Sequence, residues 1–259
     1  MLEYHDSFYK KLHMGTRLFI GIDDTDNLDS RGTGFHARAL CNSINQRHLG
    51  NCRFVTRHQL LMSPLVPFTS HNSAACLVVE QPGNMDQLES LCIDYLIENS
   101  ADGADAGLCL LPEHVLTISL MQFGIICKHR VVTQEAATNL ATQHGIRLHG
   151  LTGTKDGLIG ALAAATLCGS GNDGRLLWLA GMRDHAEQTL SLKQLQESTD
   201  IAVVQSREGL PLVDVTTQID MGTWPRAIWL GGEPCLIVEP HEEKADVWQV
   251  AAKSYLKQF

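Results

Sequence analysis

Four carboxylates crowd one turn of this chain. The apolar, β-prone run Leu18-Phe19-Ile20-Gly21-Ile22 empties directly into Asp23, Asp24 and Asp26, with Asp29 three residues on. Acids this close repel one another and raise each other's pKa values. A divalent cation relieves that repulsion, and hard cations such as Mg²⁺ take oxygen ligands. Asp23, Asp24 and Asp26 are therefore candidate metal ligands and candidate catalytic acids. Arg31, Gly32, Thr33 and Gly34 follow, leading into a helical pattern. A glycine-flanked turn at a helix N-terminus offers N–H groups to phosphate. Open α/β sheets bind their ligands at such strand ends. Carboxylates for Mg²⁺ beside amides for phosphate read as a site for a metal-bound nucleotide. The competing reading, an acidic turn that caps the next helix, needs one acid and not four.

A second glycine-rich turn spans residues 150–157 and runs into Leu158-Ile159-Gly160-Ala161-Leu162-Ala163-Ala164-Ala165. Gly153, Lys155 and Gly157 are candidate phosphate contacts, with Lys155 as a point charge. The Walker pattern is absent, and plain loop chemistry accounts for the turn equally well. If both turns serve one ligand, they meet in space, and Asn72 is expected at the same pocket.

The elements that must position these groups follow from periodicity. Helices are predicted over 35–49, 85–96, 133–144 and 158–165, with a last helix on Val247, Val250, Ala251 and Tyr255. Strands are predicted over 18–22, 52–61, 74–80, 115–120, 146–149, 176–180, 226–230 and 235–238, and a hairpin over 202–206 and 210–215. The segment 100–107 is small, acidic and glycine-bearing, hence a loop. Residues 169–174 are the best linker candidate. The predicted class is α/β (α+β), divided as an N-terminal extension 1–16, a nucleotide-binding α/β domain 17–174 and a second domain 175–259.

At 259 residues the chain suits one large domain or two small ones. Its 44% hydrophobic content is that of an ordinary globular protein. The eight cysteines are scattered singly with no CxxC pair, which argues against a structural zinc site. Several lie in apolar runs and read as small core residues. Free thiols and an opening segment without a secretory apolar core point to the cytoplasm. No apolar stretch is long enough to span a membrane. The formal charge is −9, from 20 Lys+Arg against 29 Asp+Glu, which argues against broad electrostatic attraction to nucleic acid.

The motifs carry a family resemblance. Gly21-Ile22-Asp23-Asp24-Thr25-Asp26 followed by Arg31-Gly32 resembles the opening signature of the archaeal tRNA-isoleucine agmatinylcytidine synthetases. His71-Asn72-Ser73-Ala74-Ala75 is similar to that family's Gly-Asn-Ala-Ala segment, and residues 157–164 to its Gly-Leu-Ile-Gly-Ala-Leu-Ala-Ala segment. Leu177-Trp178-Leu179-Ala180-Gly181-Met182-Arg183 loosely matches the segment that opens its ferredoxin-like domain. The resemblance implies a kinase-like domain followed by a ferredoxin-like domain. It also implies ATP and Mg²⁺ as cofactors and phosphorylation of a tRNA cytidine, displaced by agmatine. The family's OB-fold and zinc ribbon have no counterpart here. Gly34-Phe35-His36 stands where the family has a Cys-Thr-Thr segment containing a phosphorylated threonine, so Thr33 and His36 are the candidates to replace it.

Together these readings give an Mg²⁺- and ATP-dependent phosphotransferase or ligase. Its acceptor is a small molecule, a nucleotide or RNA, with tRNA not favoured, and a homo-oligomer is open. The acceptor site is expected at the interface of the two domains, with Arg183 a candidate contact. Two other readings stand beside it. Asp24 and Asp26 after a strand also resemble the paired acids of haloacid-dehalogenase phosphatases, which need a downstream lysine such as Lys155. Alternatively the protein binds nucleotide without catalysis, as a regulator.

Overall fold

A computed structural model describes residues 17–66 and 71–259. The expected N-terminal extension 1–16 lies outside the described residues. The rest is a mixed α/β fold built on one large, mostly antiparallel sheet. Its first strand, β1 (Arg17–Asp23), alternates faces strictly. Leu18, Ile20 and Ile22 enter one apolar core and Phe19 the other, so the strand is buried on both sides.

In chain order there follow α1 (Thr33–Gln46), β2 (Asn51–Gln59), β3 (Ser73–Glu80), α2 (Met85–Asn99) and β4 (Gly107–Pro112). Next come α3 (Ile118–His129), α4 (Gln134–Gln143), β5 (Arg147–Gly150), α5 (Gly157–Gly169) and β6 (Arg175–Leu179). The remainder holds β7 (Thr189–Ser191), α6 (Leu192–Ser198), β8 (Val203–Ser206), β9 (Gln218–Asp220), β10 (Ile228–Leu230), β11 (Glu233–Pro240), β12 (Val247–Val250) and the single turn α7 (Lys253–Leu256). The sheet order is β5-β4-β1-β3-β2-β6-β10-β11-β12-β9-β7, with β8 on β11.

The N-terminal part has three layers. Helices α1 and α2 bury Ala37, Leu40, Ile44, Leu88 and Leu96 against one sheet face. Helices α3, α4 and α5 cover the other, and its core continues without a break to Leu236 and Trp229. Strand β1 runs antiparallel to both neighbours, β3 and β4. The acid turn therefore sits at the end of a central antiparallel strand and not at the crevice of a parallel sheet.

Helix α5 approaches β1 and β4 more closely than any side chain would allow. A Cβ at Gly21 would stand 1.9 Å from the carbonyl oxygen of Ala161, and one at Gly107 would stand 2.1 Å from the carbonyl oxygen of Gly157. The run of glycine and alanine in α5 is thus a packing surface that sets the helix backbone directly on the strands.

Several predicted elements are overturned. Residues 115–120 are not a strand. A 3₁₀ turn at Glu113–Val115 leads into α3, whose N-cap Thr117 accepts from the Leu120 amide. Leu120, Phe123 and Cys127 of α3 are buried at helical spacing, but Ile118, Ile125 and Ile126 are exposed, so no polar face marks the pattern. The strand in this region is β4, which takes up the apolar run from Leu108 to Leu111.

Residues 247–250 form β12, parallel to β9, and not the start of a helix. The apolar spacing there fits both periods over so short a span. Of the expected hairpin, β8 forms, whereas 210–215 contributes an isolated bridge at Pro211, which has no amide to extend a ladder. The 169–174 segment is also no loose linker. Gly232 N–H donates to Gly171 O at 2.9 Å, Trp229 N–H to Gly174 O at 2.8 Å, and the Trp229 indole to Cys168 O at 2.7 Å.

Candidate functional site

A cavity of about 260 Å³ opens at the C-terminal end of β1. One wall is acidic: Asp23, Asp24, Asp26, Asp105 and Asp156. The rest of the lining is largely apolar, with Leu60, Leu61, Val66, Val132 and Ile159 among its residues. Arg130 and His71 bring basic groups to its lining. An apolar wall with a few convergent polar groups is the usual make-up of a small-molecule site.

Asp23 is the last residue of β1 and belongs to the face covered by α5. Its carboxylate is held against the backbone of Gly160, where a Cβ would stand 1.7 Å from Oδ2. Burial, then the neighbouring Asp24, push its pKa up to about 8. Asp24 takes a left-handed conformation with φ of 49°, so the strand's alternation stops here and Asp24 and Asp26 do not continue it. Burial and the charges of Asp105, Asp26 and Asp156 push Asp24 up to about 6. Among the described residues, no lysine or arginine is paired with either carboxylate.

Asp26 is held differently. Its Oδ1 accepts from the Thr33 amide at 3.1 Å and from the Thr33 hydroxyl at 2.8 Å, so it caps the first turn of α1 from outside. The buried Thr25 hydroxyl donates to Thr33 Oγ1 at 3.1 Å. This knot fixes the acid turn to α1.

Asp105 organises the second turn. Its Oδ1 accepts from the Thr154 amide at 2.5 Å, its Oδ2 from the Thr154 hydroxyl at 2.8 Å, and its carbonyl from the Gly157 amide at 2.9 Å. Thr152 Oγ1 donates to Ala104 O at 2.6 Å and accepts from the Ala106 amide at 2.7 Å. Gly153 is required by this docking, because a Cβ there would stand 1.9 Å from Asp105 Oδ1. Asp156 Oδ1 accepts from Gln134 Nε2 at 2.5 Å.

Six of the residues singled out in the sequence, Asp23, Asp24, Asp26, Thr33, Asn72 and Gly157, line this one cavity. The two glycine turns therefore meet there. Arg31, Gly32, Gly34, His36, Gly153 and Lys155 do not line it. Gly34 instead packs on β6, where its Cβ would stand 2.8 Å from Leu177 Cδ1. The Arg31 guanidinium lies over the Phe35 ring at 4.7 Å. His36 Nδ1 is bonded to the Tyr95 hydroxyl at 3.1 Å, and burial lowers its pKa. Lys155 is exposed, with φ of 73°. Asn72 lines the cavity while its Nδ2 donates to Leu61 O at 2.7 Å, so its amide holds the neighbouring chain.

The amides of Thr33, Thr154 and Gly157 already have acceptors, which leaves a site whose chemistry is chiefly carboxylate. Asp105, Asp156 and Arg130 carry no motif of their own. Asp156 sits inside the glycine turn and Asp105 inside the small acidic loop, and only the fold brings them to Asp23. The cavity is lined by residues 23–160, so among the described residues no part of 175–259, Arg183 included, forms its wall.

The donor chemistry suits a hard cation. No group of three or more ligands among the described residues is arranged as a ready metal centre.

All eight cysteines are free and buried, and no described helix is long and apolar enough to cross a membrane.

No protein-family model and no curated protein matches this chain. Solved structures do. The complex of TiaS with its isoleucine tRNA and ATP is similar at 25% identity, with a TM-score of 0.53, over 58% of this chain and 36% of that one. The complex of TiaS with the same tRNA, AMPCPP and agmatine is similar at 25% identity and a TM-score of 0.51 over the same shares. Apo TiaS, a tRNA agmatidine synthetase, matches at 24% identity and a TM-score of 0.50, over 58% of this chain and 35% of that one. The match thus spans little more than a third of those proteins, and the likeness it shows is one of fold.

Proposed function

We propose that the acid cavity binds ATP with Mg²⁺ and that the protein uses it as a phosphotransferase or ligase on an acceptor that is a small molecule, a nucleotide or RNA. The observation that carries this reading is the pair of cation-deprived carboxylates, Asp23 and Asp24, at a strand end in a cavity with an apolar wall. Similar folds in complex with ATP and with AMPCPP support it.

In this reading Asp23 and Asp24 would hold the metal, and Asp26 lines the same cavity. When bound, Mg²⁺ supplies charge neutralisation to the nucleotide phosphates. Asp23, pushed up to about 8, would have to be deprotonated to hold a cation. Asp24, at about 6, is ionised at neutral pH and is placed to accept a proton from an acceptor hydroxyl. Arg130 in the lining offers a bidentate contact to phosphate. The apolar wall receives the base and excludes water. Of the two candidates for the family's missing threonine, Thr33 has the better geometry: it lines the cavity, and its hydroxyl donates to Asp26, which could take the proton if Thr33 were a transient phosphoacceptor. His36, tied to Tyr95, is not so placed.

A phosphatase reading needs a lysine beside the paired acids, and Lys155 does not line the cavity. It is not favoured.

Titration of a fluorescent ATP analogue with and without Mg²⁺ tests the proposal. Expected is Mg²⁺-dependent binding that Asp23→Asn or Asp24→Asn abolishes while both variants stay folded. Metal-independent binding, or binding indifferent to both substitutions, would sink it.

A further inference from the structure

On this acidic protein, one patch is basic. Arg57 on β2 stands directly opposite Arg175 on β6 in the strand register. Like charges in that position destabilise a sheet. Arg226, two residues before β10, faces the same cluster, and Arg38 on α1 and Arg183 after β6 extend it. Burial and the neighbouring guanidinium groups lower the pKa of Arg38, Arg57 and Arg226. None of these arginines forms a salt bridge among the described residues, although the chain carries 29 Asp and Glu. The Nε atoms of Arg175 and Arg226 are buried with no hydrogen-bond partner. A buried donor left unpaired is costly, and its retention calls for a ligand or another explanation.

The cluster includes an aromatic ring. The guanidinium carbons of Arg183 and Arg226 lie 5.1 Å and 5.2 Å from the Trp224 ring centroid, and Trp224 is still 56% exposed. Guanidinium groups suit phosphate bidentately, and indole and guanidinium planes both stack on nucleobases. We infer that Arg38, Arg57, Arg175, Arg183 and Arg226, the last two flanking Trp224, form a second ligand site that takes a nucleoside phosphate, free or within a single strand.

The site adjoins the acid cavity at two points. Arg57 Nε donates to Ser73 Oγ at 2.9 Å, and Ser73 lines the cavity. On the other side, Thr33 of the cavity precedes Gly34, whose Cβ would stand 3.9 Å from Arg38 Nη1. A strand on the arginines would therefore end near the acids. That this ligand is the acceptor rests on the ATP reading; the binding site itself does not.

Fluorescence anisotropy with a labelled single-stranded RNA of about ten nucleotides tests it. The exposed positions are varied, Trp224→Ala and Arg183→Glu, with Lys193→Glu as a control elsewhere on the surface. Expected is binding that weakens steeply with salt. Trp224→Ala should weaken it about tenfold, in the range of a lost stacking contact. Arg183→Glu should also weaken it and lower the salt slope by about one, with Lys193→Glu like the unaltered protein. Competition by AMP identifies a site filled by a free nucleotide, and competition only by unlabelled strand identifies the polymer; both uphold the site. No binding at low salt, or equal binding by both variants and by inorganic polyphosphate, overturns it. ATP binding is read in parallel on the unaltered protein. If ATP fails to bind while RNA binding depends on Trp224, the ATP reading falls and this site stands.

Discussion

The Asp23 carboxylate and the α-carbon of Gly160 occupy neighbouring space with no room between them: a Cβ at position 160 would stand 1.7 Å from Asp23 Oδ2. The helix cannot simply retreat, because Gly21 and Gly107 hold α5 by backbone contacts of the same kind. Gly160→Ala therefore displaces the Asp23 side chain. Such overpacking costs about 1–3 kcal/mol, so the protein should stay folded with a lower melting temperature. Calorimetric titration should show Mg²⁺–ATP affinity reduced about tenfold or more, since a displaced charged ligand forfeits more than about 1.4 kcal/mol. Undiminished affinity in a folded Gly160→Ala protein would remove Asp23 from the ligand set.

The raised pKa of Asp23 makes stability depend on pH. Its value of about 8 in the folded protein lies above the 3.8 of an ordinary aspartate, so the folded state binds the proton more tightly than the unfolded one. Stability is therefore lost as pH rises from about 4 towards 8. Asp24, pushed up to about 6, adds to the lower part of the same window. Melting curves of the cation-free protein should fall across this range. Asp23→Asn should flatten the curve and melt higher than the unaltered protein at pH 8. Mg²⁺ should stabilise the unaltered protein more at pH 8 than at pH 6, because its ligands must be deprotonated. A pH profile unchanged by Asp23→Asn would refute the assignment.

Much of this site was legible in the sequence for a local reason. An apolar strand emptying into acids fixes where Asp23, Asp24 and Asp26 must stand, and the small residues of α5 advertise a close approach. Asp105 was not legible, because its role depends on β4 pairing with β1 and on Thr154 coming to it from 49 residues away. The glycines misled in an instructive way. Gly34 and Gly153 look like phosphate-turn residues, yet Gly34 makes room for Leu177 and Gly153 for Asp105. The elements misread, α3 and β12, are those whose apolar pattern lacks a polar counter-face or is too short to have a period. The arginine cluster left no trace in composition, since its members come from α1, β2, β6, the 3₁₀ turn Met182–His185 and the segment before β10 of a chain with net charge −9.

Asp105 has two separable duties, a wall charge in the cavity and an anchor for the 150–157 turn. Asp105→Ala removes both, leaving the Thr154 amide without its acceptor; hydrogen bonds to a charged group are worth about 1.5–3 kcal/mol. The melting temperature should fall, and limited proteolysis should cut within 150–157. Asp105→Asn keeps an acceptor for Thr154 and removes the charge. It should resist proteolysis, and it should lower the Asp24 pKa by relieving repulsion. Equal proteolysis of both variants would mean that the anchor is not the hydrogen bond but the charge.

A buried ionic chain ties β2, α3 and the 169–174 segment together. His58 Nδ1 is bonded to Asp173 Oδ1 at 2.9 Å, its Nε2 to Thr56 Oγ1 at 2.8 Å, and Lys128 is paired with the other Asp173 oxygen. Burial alone would lower the His58 pKa, but the bond to Asp173, together with the neighbouring Cys168, reverses this and the net shift is upward. For Asp173, burial is likewise outweighed by His58 and Lys128, and its pKa is lowered. The signs then set the window. The histidine contribution is complete below about 6.5 and fades as pH rises through the raised value, while the aspartate contribution is complete above about 3.9 and fades as pH falls through the lowered one. Between those limits both operate. Breaking a buried pair from one side typically costs about 3–5 kcal/mol, because the remaining charge has lost its partner. Asp173→Ala is accordingly expected to lower stability by that amount near pH 5–6 and by less at higher pH, once the raised His58 value has been passed. Asp173→Asn, which still offers an oxygen to His58, should cost less than Asp173→Ala at both. Denaturant unfolding at the two pH values measures this, and a loss from Asp173→Ala that is independent of pH would show that His58 is not charged in the folded protein.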